Sequence, residues 1–355
     1  MQILLLGSFI LFFLPTDSLS QQWMKLALVS GDIYNRKFCN NYRFWTDTQR
    51  KLCINYGDLI PKVSVGARIA YDECIHQFRW RRWNCSAHAP NSLWTTDSKN
   101  YPSLFGNSLI MESKEAAFIS ALFSAGVVFS VTKACSSNLL QSCSCDVRDT
   151  KDDSRGYRWH RCNDNVNFGV TFSKQFIDSV ELNWSLERMY SSHARSLMNL
   201  HNNDVGRKTI ESNMKLKCAC HGVSGACTSR ICSREIPDFR FIGNVLKRKF
   251  DAAIKVKLKY ISTRQVLMPA IKYSPPVTNT QLVYLKNSPL YCSSVTGRRC
   301  RQKKGQSGSC NAMCCGRGYR TKERSVVKNC NCQFIWCCRI TCQKCTLKQK
   351  IYICK

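Results

Sequence analysis

The chain has 355 residues, with 53 Lys and Arg against 23 Asp and Glu (formal net charge +30), 24 cysteines and six histidines. In a nuclear protein that charge would point to nucleic acid; in a secreted one it points to extracellular polyanions, and the even cysteine count to disulfides. The N-terminus decides between the two.

Residues 1–20, MQILLLGSFILFFLPTDSLS, hold an apolar run from Ile3 to Leu14, then Pro15 and small residues at Ser18 and Ser20. The run is too short to span a bilayer and has the pattern of a secretory signal peptide cleaved after Ser20. The later apolar stretch AAFISALFSAGVVFSV (116–131) is 16 residues long, carries three serines and reads as a buried core helix. In an oxidising compartment the cysteines form up to about 12 disulfides. Zinc is the competing reading, because C-x-C occurs at 143/145, 218/220 and 330/332 and C-x-x-C at 342/345; only six histidines accompany them, and no metal site is expected. Outside the cell the basic balance indicates sulfated glycans or anionic membrane surfaces, not nucleic acid, and GRRCRQKKG (297–305) is its sharpest run.

Twelve cysteines lie between Cys39 and Cys232, the other twelve between Cys292 and Cys354. The first stretch has helical patterning. Leu59, Val63, Gly66, Ala67, Ala70, Cys74 and Phe78 share one face, with Asp58 as N-cap and Pro61 in the first turn. Further helical faces run through 113–132, around Phe168, Phe172, Phe176 and Val180, around Leu197 and Leu200, and through Phe239, Ile242, Leu246 and Phe250 after Pro237. A helical domain over 21–261 is expected, with disulfides as staples. Residues 262–288 contain three prolines without periodicity and read as an exposed linker. Residues 289–355 are too few to bury a sufficient core, so a cysteine-rich set of β-hairpins is expected there. The fold class is thus α+β.

Within the first region, Met214, Leu216, Cys218 and Cys220 alternate with Lys215 and Lys217, which is strand periodicity. Pairing Cys220 with Cys227 inside Cys218 with Cys232 makes a stapled hairpin over 214–232 whose tip is HGVSGA, with Gly222 and Gly225 supplying backbone freedom. Ser224 at that tip has three readings. A hydrolase nucleophile lacks its strand-to-helix elbow and has only His221 nearby. An ordinary turn serine and a modification site both fit, and spacing does not separate them.

CACHGVSGAC (218–227) closely resembles the C-x-C-H-G-V-S-G-x-C signature of the Wnt family of secreted signalling proteins. ECIHQFRWRRWNCS (73–86), LMNLHNNDVGRK (197–208), MCCGRGY (313–319) and CNCQFIWCCRITCQKC (330–345) extend the match over nearly the whole mature chain. The resemblance implies a non-enzymatic ligand, secreted through the endoplasmic reticulum to the extracellular space and matrix, without a cofactor. Ser224 is then the acceptor of a monounsaturated fatty acyl ester added by a membrane-bound O-acyltransferase. A hairpin "thumb" with His221, Gly222, Val223, Ser224 and Gly225 inserts that lipid into the cysteine-rich domain of a Frizzled receptor. Burying about ten methylenes at roughly 0.8 kcal/mol each gives about 8 kcal/mol before ordering costs, which a stiff hairpin keeps low.

By the same resemblance Phe334, Trp336, Cys337, Cys338 and Ile340 form a second receptor contact, the "index finger", with a Cys337–Cys338 vicinal disulfide. A small aromatic core is the alternative. The remaining implied pairs are Cys39–Cys53, Cys74–Cys85, Cys135–Cys143, Cys145–Cys162, Cys292–Cys315, Cys300–Cys310, Cys314–Cys354, Cys330–Cys345 and Cys332–Cys342. Sequons stand at Asn84 and Asn183. Implied partners are the Frizzled domain, an LRP-type co-receptor or another receptor, heparan sulfate and a lipid-binding carrier during secretion. Departures from the family pattern are Ala226 for a second Ser, Ala219 for a basic residue, Ser233 for Trp and Gln281 for an acid. The interval from Cys292 to Cys300 is also short. A non-acylated, basic, matrix-binding antagonist is the runner-up function, and a secreted esterase a distant third.

Overall fold

The structure is a computed structural model and describes residues 19–29, 36–42, 45–85, 104–109, 111–138, 140–147, 157–158, 162–185, 190–223, 227, 229–262, 264–303, 305–336 and 338–355. The signal-peptide reading falls almost wholly outside these residues. The chain divides into two compact units. One holds residues up to Glu73 and His88–Ser288, the other Cys74–Ala87 with Pro289–Lys355.

The first unit is built on helices. Short helices α1 (Arg36–Asn41) and α2 (Asp47–Asn55) lead to α3 (Ile60–Phe78). α2 opens with a full capping box, in which the Thr46 hydroxyl accepts from the Gln49 N–H and the Gln49 side chain reaches back to the Thr46 N–H. Leu59, just before α3, and Val63, Ala67, Ala70, Cys74 and Phe78 within it are all buried, as the periodicity requires. Asp58 does not cap it. Its carboxylate accepts from the N–H groups of Gln141 and Ser142 and from the Ser142 hydroxyl, fixing a loop more than 80 residues away.

The long apolar helix is α4 (Lys114–Ser136), and almost every residue from Glu115 to Cys135 is buried. Its length and apolarity would let it cross a membrane, but with that burial it is the core helix of the unit. Close backbone approach makes the core possible. A Cβ on Gly66 of α3 would stand 2.5 Å from the Gly126 carbonyl oxygen of α4. α5 (Val166–Ser173), a π-turn at Lys174–Asp178 and α6 (Ser179–Ser185) form one helical run that buries Phe172, Phe176 and Val180. α7 (Tyr190–Glu211) follows, with Met198, Val205 and Ile210 fully buried.

Two acids lie buried between α6 and α7. Asp178 takes both guanidinium nitrogens of the buried Arg207, at 3.0 and 2.9 Å, and the Asn203 amide at 3.2 Å. Burial still pushes its carboxyl upward against these partners. Glu181 accepts from the Asn199 amide at 3.0 Å, and burial drives its carboxyl up to about 8.

α8 (Phe239–Asp251) buries Phe239, Ile242, Leu246 and Phe250. The linker expectation for 262–288 differs from what is found. β4 (Ile254–Ile261) pairs antiparallel with β5 (Arg264–Pro269) and parallel with β6 (Val283–Tyr284), and both partners of β4 lie in that stretch. Val256 and Val283 are buried with Ala116 and Met198, so the segment is part of the first unit's packing. His201 and Asn202 of α7 secure it through the Gln281 carbonyl and both backbone groups of Val283.

The second unit contains β7 (Arg299–Cys300), α9 (Cys310–Met313), β8 (Tyr319–Ile335) and β9 (Arg339–Cys354), with sheet order β7-β9-β8. Cys300, Cys310, Met313, Cys314 and Cys354 make its small core, with Tyr319 and Tyr352 against it. Residues 74–87 belong to this unit, although the sequence placed them in the N-terminal domain. Trp83 packs on Phe78 at 4.6 Å between ring centroids, and Arg82 donates to the Ala312 carbonyl.

Candidate functional site

The serine hairpin consists of β2 (Lys215–His221) and β3 (Ser229–Glu235) in antiparallel register, with Cys218 directly across from Cys232. Disulfides join these two and, nearer the tip, Cys220 with Cys227. Ser224, Gly225 and Ala226 lie outside the described residues, as does the side chain of His221. Their neighbours Gly222 and Val223 are exposed, Val223 to 89%. An aliphatic side chain so fully in water at a doubly stapled tip contributes nothing to this chain's own core.

The root of the hairpin is tied to α4 by residues the sequence did not single out. The Arg234 N–H donates to Asn163 Oδ1 at 2.8 Å, and the Asp164 N–H donates to the Arg234 carbonyl at 2.9 Å. The buried Asp164 carboxylate accepts from the Ile236 N–H and from Lys133 of α4. Glu235 adds Lys217 at 3.6 Å and accepts from the buried Ser233 hydroxyl at 2.9 Å. The departure to Ser233 thus places a small polar group where it meets a carboxylate. No local pattern announces the contacts of Asn163 and Asp164, whose partners lie 31 to 72 residues apart.

The second hairpin, β8 with β9, pairs in continuous register from Tyr319 opposite Cys354 to Cys330 opposite Gln343. A bulge follows, and pairing resumes at Gln333 with Thr341 and ends at Ile335 with Arg339. Asn331, in the bulge, takes a φ of 47° and bonds the Gln343 side chain. Cys330–Cys345 and Cys332–Cys342 staple the distal part. Phe334 and Ile340 sit opposite one another, 69% and 67% exposed, and Trp336 beyond them is 90% exposed. These side chains do not fill a small core. Cys337 lies outside the described residues, so the vicinal pair does too; Cys338 turns the tip with a φ of 88°.

The other disulfides of the described residues are Cys39–Cys53, Cys74–Cys85, Cys135–Cys143, Cys145–Cys162, Cys292–Cys315, Cys300–Cys310 and Cys314–Cys354. The sulfurs of Cys300, Cys314 and Cys354 converge within 4.8 Å, the one grouping with metal-site geometry among the described residues. All three are in disulfides, so none offers a thiolate to an ion. Asn84 is half-buried beside Cys85, and Asn183 falls in the last turn of α6.

Stapled hairpins that hold apolar side chains in water define a binding protein, which presents surface to a partner. A sequence profile of the wnt family matches residues 41–355. A chain of the solved structure of human WLS in complex with WNT8A aligns at 34% identity and a TM-score of 0.55, covering 84% of this chain and 95% of that one. The Drosophila WntD N-terminal domain and linker aligns at 19% identity and a TM-score of 0.40, covering 66% and 98%. The chain belongs to the Wnt family, whose members are secreted signalling ligands and not enzymes.

Proposed function

We propose that this ligand acts through Frizzled receptors, carrying a monounsaturated fatty acyl ester on Ser224 and gripping the receptor cysteine-rich domain with its two hairpin tips. The observation that carries the reading is the doubly stapled hairpin with Val223 exposed beside the serine, since a rigid strand pair offers a hydroxyl, and later a lipid, at little ordering cost. Trp336, Phe334 and Ile340 have the composition and exposure of an interface anchor. The acyl group implies a membrane-bound O-acyltransferase and a carrier that shields it in transit, and the likeness to the chain solved with WLS supports a carrier of that kind. An LRP-type co-receptor or another receptor completes the signalling partners, and heparan sulfate retains the basic ligand in the matrix. At least one of the sequons Asn84 and Asn183 carries glycan.

Intact mass of the secreted protein tests the reading. Wild type shows one acyl group, and Ser224→Ala loses it together with receptor binding. Full signalling by wild-type protein without acyl mass overturns it.

A further inference from the structure

Residues 289–355 contain 15 Lys and Arg and one acid, Glu323. The sharpest basic run in the sequence, 297–305, supplies less free charge than its composition suggests. Arg298 is half-buried and donates to the backbone carbonyls of Arg82 and Arg79, and Arg301 lies over the Trp80 ring at 4.3 Å. Strand register gathers charge elsewhere. Arg299 stands opposite Ile353, and Ile353 opposite Arg320, so all three point to one face of the β7-β9-β8 sheet. Alternation along β8 puts Lys322, Arg324 and Lys328 on that same face, ahead of the bulge. The other face, with Cys300, Tyr319, Tyr352 and Cys354, is the one turned to the unit's core.

The outer face therefore carries Arg299, Arg320, Lys322, Arg324 and Lys328, all exposed. No ion pair among the described residues touches them. The β9 residues beside the β8 cations are Ile353, Ile351, Gln349 and Cys345, and Glu323 is on the opposite face, across from Lys350.

We infer that this face is a binding site for a linear sulfated polysaccharide, laid along β8 from Arg320 to Lys328, with Arg299 of β7 across β9 at its Arg320 end. The β8 cations form a file one side chain wide, interrupted by Val326, and the eight-residue step from Arg320 to Lys328 is about 27 Å at roughly 3.4 Å per residue. A two-stranded ribbon twists strongly, so the file winds. A flexible polyanion follows a winding file, whereas a flat anionic membrane meets only part of it. This rests on the matrix-retention part of the proposed function and centres it on β8, with Arg299 the one contributor from 297–305.

Two triple variants of the full secreted chain remove equal charge from the two faces, K322Q/R324Q/K328Q and K344Q/K348Q/K350Q. Intact mass with all disulfides formed and unchanged far-UV circular dichroism establish that each is folded. On immobilised heparin the outer-face triple elutes at lower salt, and its slope of log affinity against log salt falls by about 2. The opposite-face triple stays near wild type. Equal shifts for both triples reduce the effect to net charge and overturn the site, as does no shift for either. Wild type that fails to bind heparin overturns the glycan reading itself. Loss of binding to phosphatidylserine vesicles by the outer-face triple, with heparin affinity intact, replaces the polysaccharide with a membrane surface. Charge-retaining K322R/K328R keeps wild-type heparin elution; if it does not, side-chain packing accounts for the effect.

Discussion

Lys133 of α4 lies 2.6 Å from the Asp164 carboxylate, on the oxygen that also accepts the Ile236 N–H at 2.6 Å. A charge-assisted bond from the core helix and a backbone bond from the end of β3 thus meet at one buried atom. The base of the serine hairpin is consequently tied to the heavily buried core helix α4.

Replacing Asp164 by Ala removes the acceptor of a buried N–H, at a cost of about 1–3 kcal/mol. Amide hydrogen exchange across 229–236 should quicken while α8 stays protected. Asp164→Asn, which keeps an acceptor, should fall between. Unchanged protection in the Ala variant would show that the root is held by strand pairing alone.

Gly126→Ala tests the crossing of α3 and α4. Its added methyl would meet the Gly66 carbonyl oxygen at 2.5 Å, and backbone atoms do not step aside as a side chain would. Overpacking of this kind costs about 1–3 kcal/mol. A lowered melting temperature and reduced secretion are expected, and wild-type stability would mean that the helices slide apart freely.

Glu181 makes stability fall with rising pH. Unfolded, its carboxyl ionises near 4.5; buried, it ionises at about 8. Between those values folding takes up a proton, so the contribution is whole below the lower value and lost as pH rises through the upper, at up to about 1.4 kcal/mol per unit. Burial lowers the His201 value, so that it contributes only below its ordinary 6.5, which leaves pH 7 to about 8 as the window for Glu181. Wild type should lose melting temperature across that window and Glu181→Gln much less. Parallel curves would assign the effect to another group.

Trp336→Ala leaves the fold intact, because the side chain is 90% exposed. If the fingertip grips a receptor, affinity for a Frizzled cysteine-rich domain should drop by at least 2 kcal/mol, as at an aromatic anchor. Secretion should be unchanged. Reduced secretion with full affinity would assign the ring to folding.

The helical faces were legible because periodicity is a local signal: Leu59 through Phe78 and Phe239 through Phe250 show their buried stripe in the letters alone. The strand alternation of 214–220 was legible for the same reason. Long-range partners have no such signature. Nothing near Asp58 announces Gln141 and Ser142, and nothing near Arg298 announces the carbonyls of Arg79 and Arg82. Of the strands in 262–288, β6 was missed because it is two residues long and is defined by parallel pairing to β4, and β5 because its burial does not alternate, Gln265 to Met268 all being half-buried. Exposure of the fingertip was likewise undecidable from composition, since Phe, Ile and Trp in a small cysteine-rich unit equally describe a core.

The second unit draws on two stretches made far apart in time. Cys74–Ala87 leaves the ribosome some 200 residues before Pro289. Until then Trp80 lacks the Arg301 guanidinium that covers it and Trp83 lacks Tyr291. Two tryptophans therefore wait in a partly made chain, near a Cys74–Cys85 bond that is able to close early and hold them together. Assembly of this unit has to await the chain from Pro289 onward, and a tail released alone, beginning at Pro289, would lack a wall of its own interior.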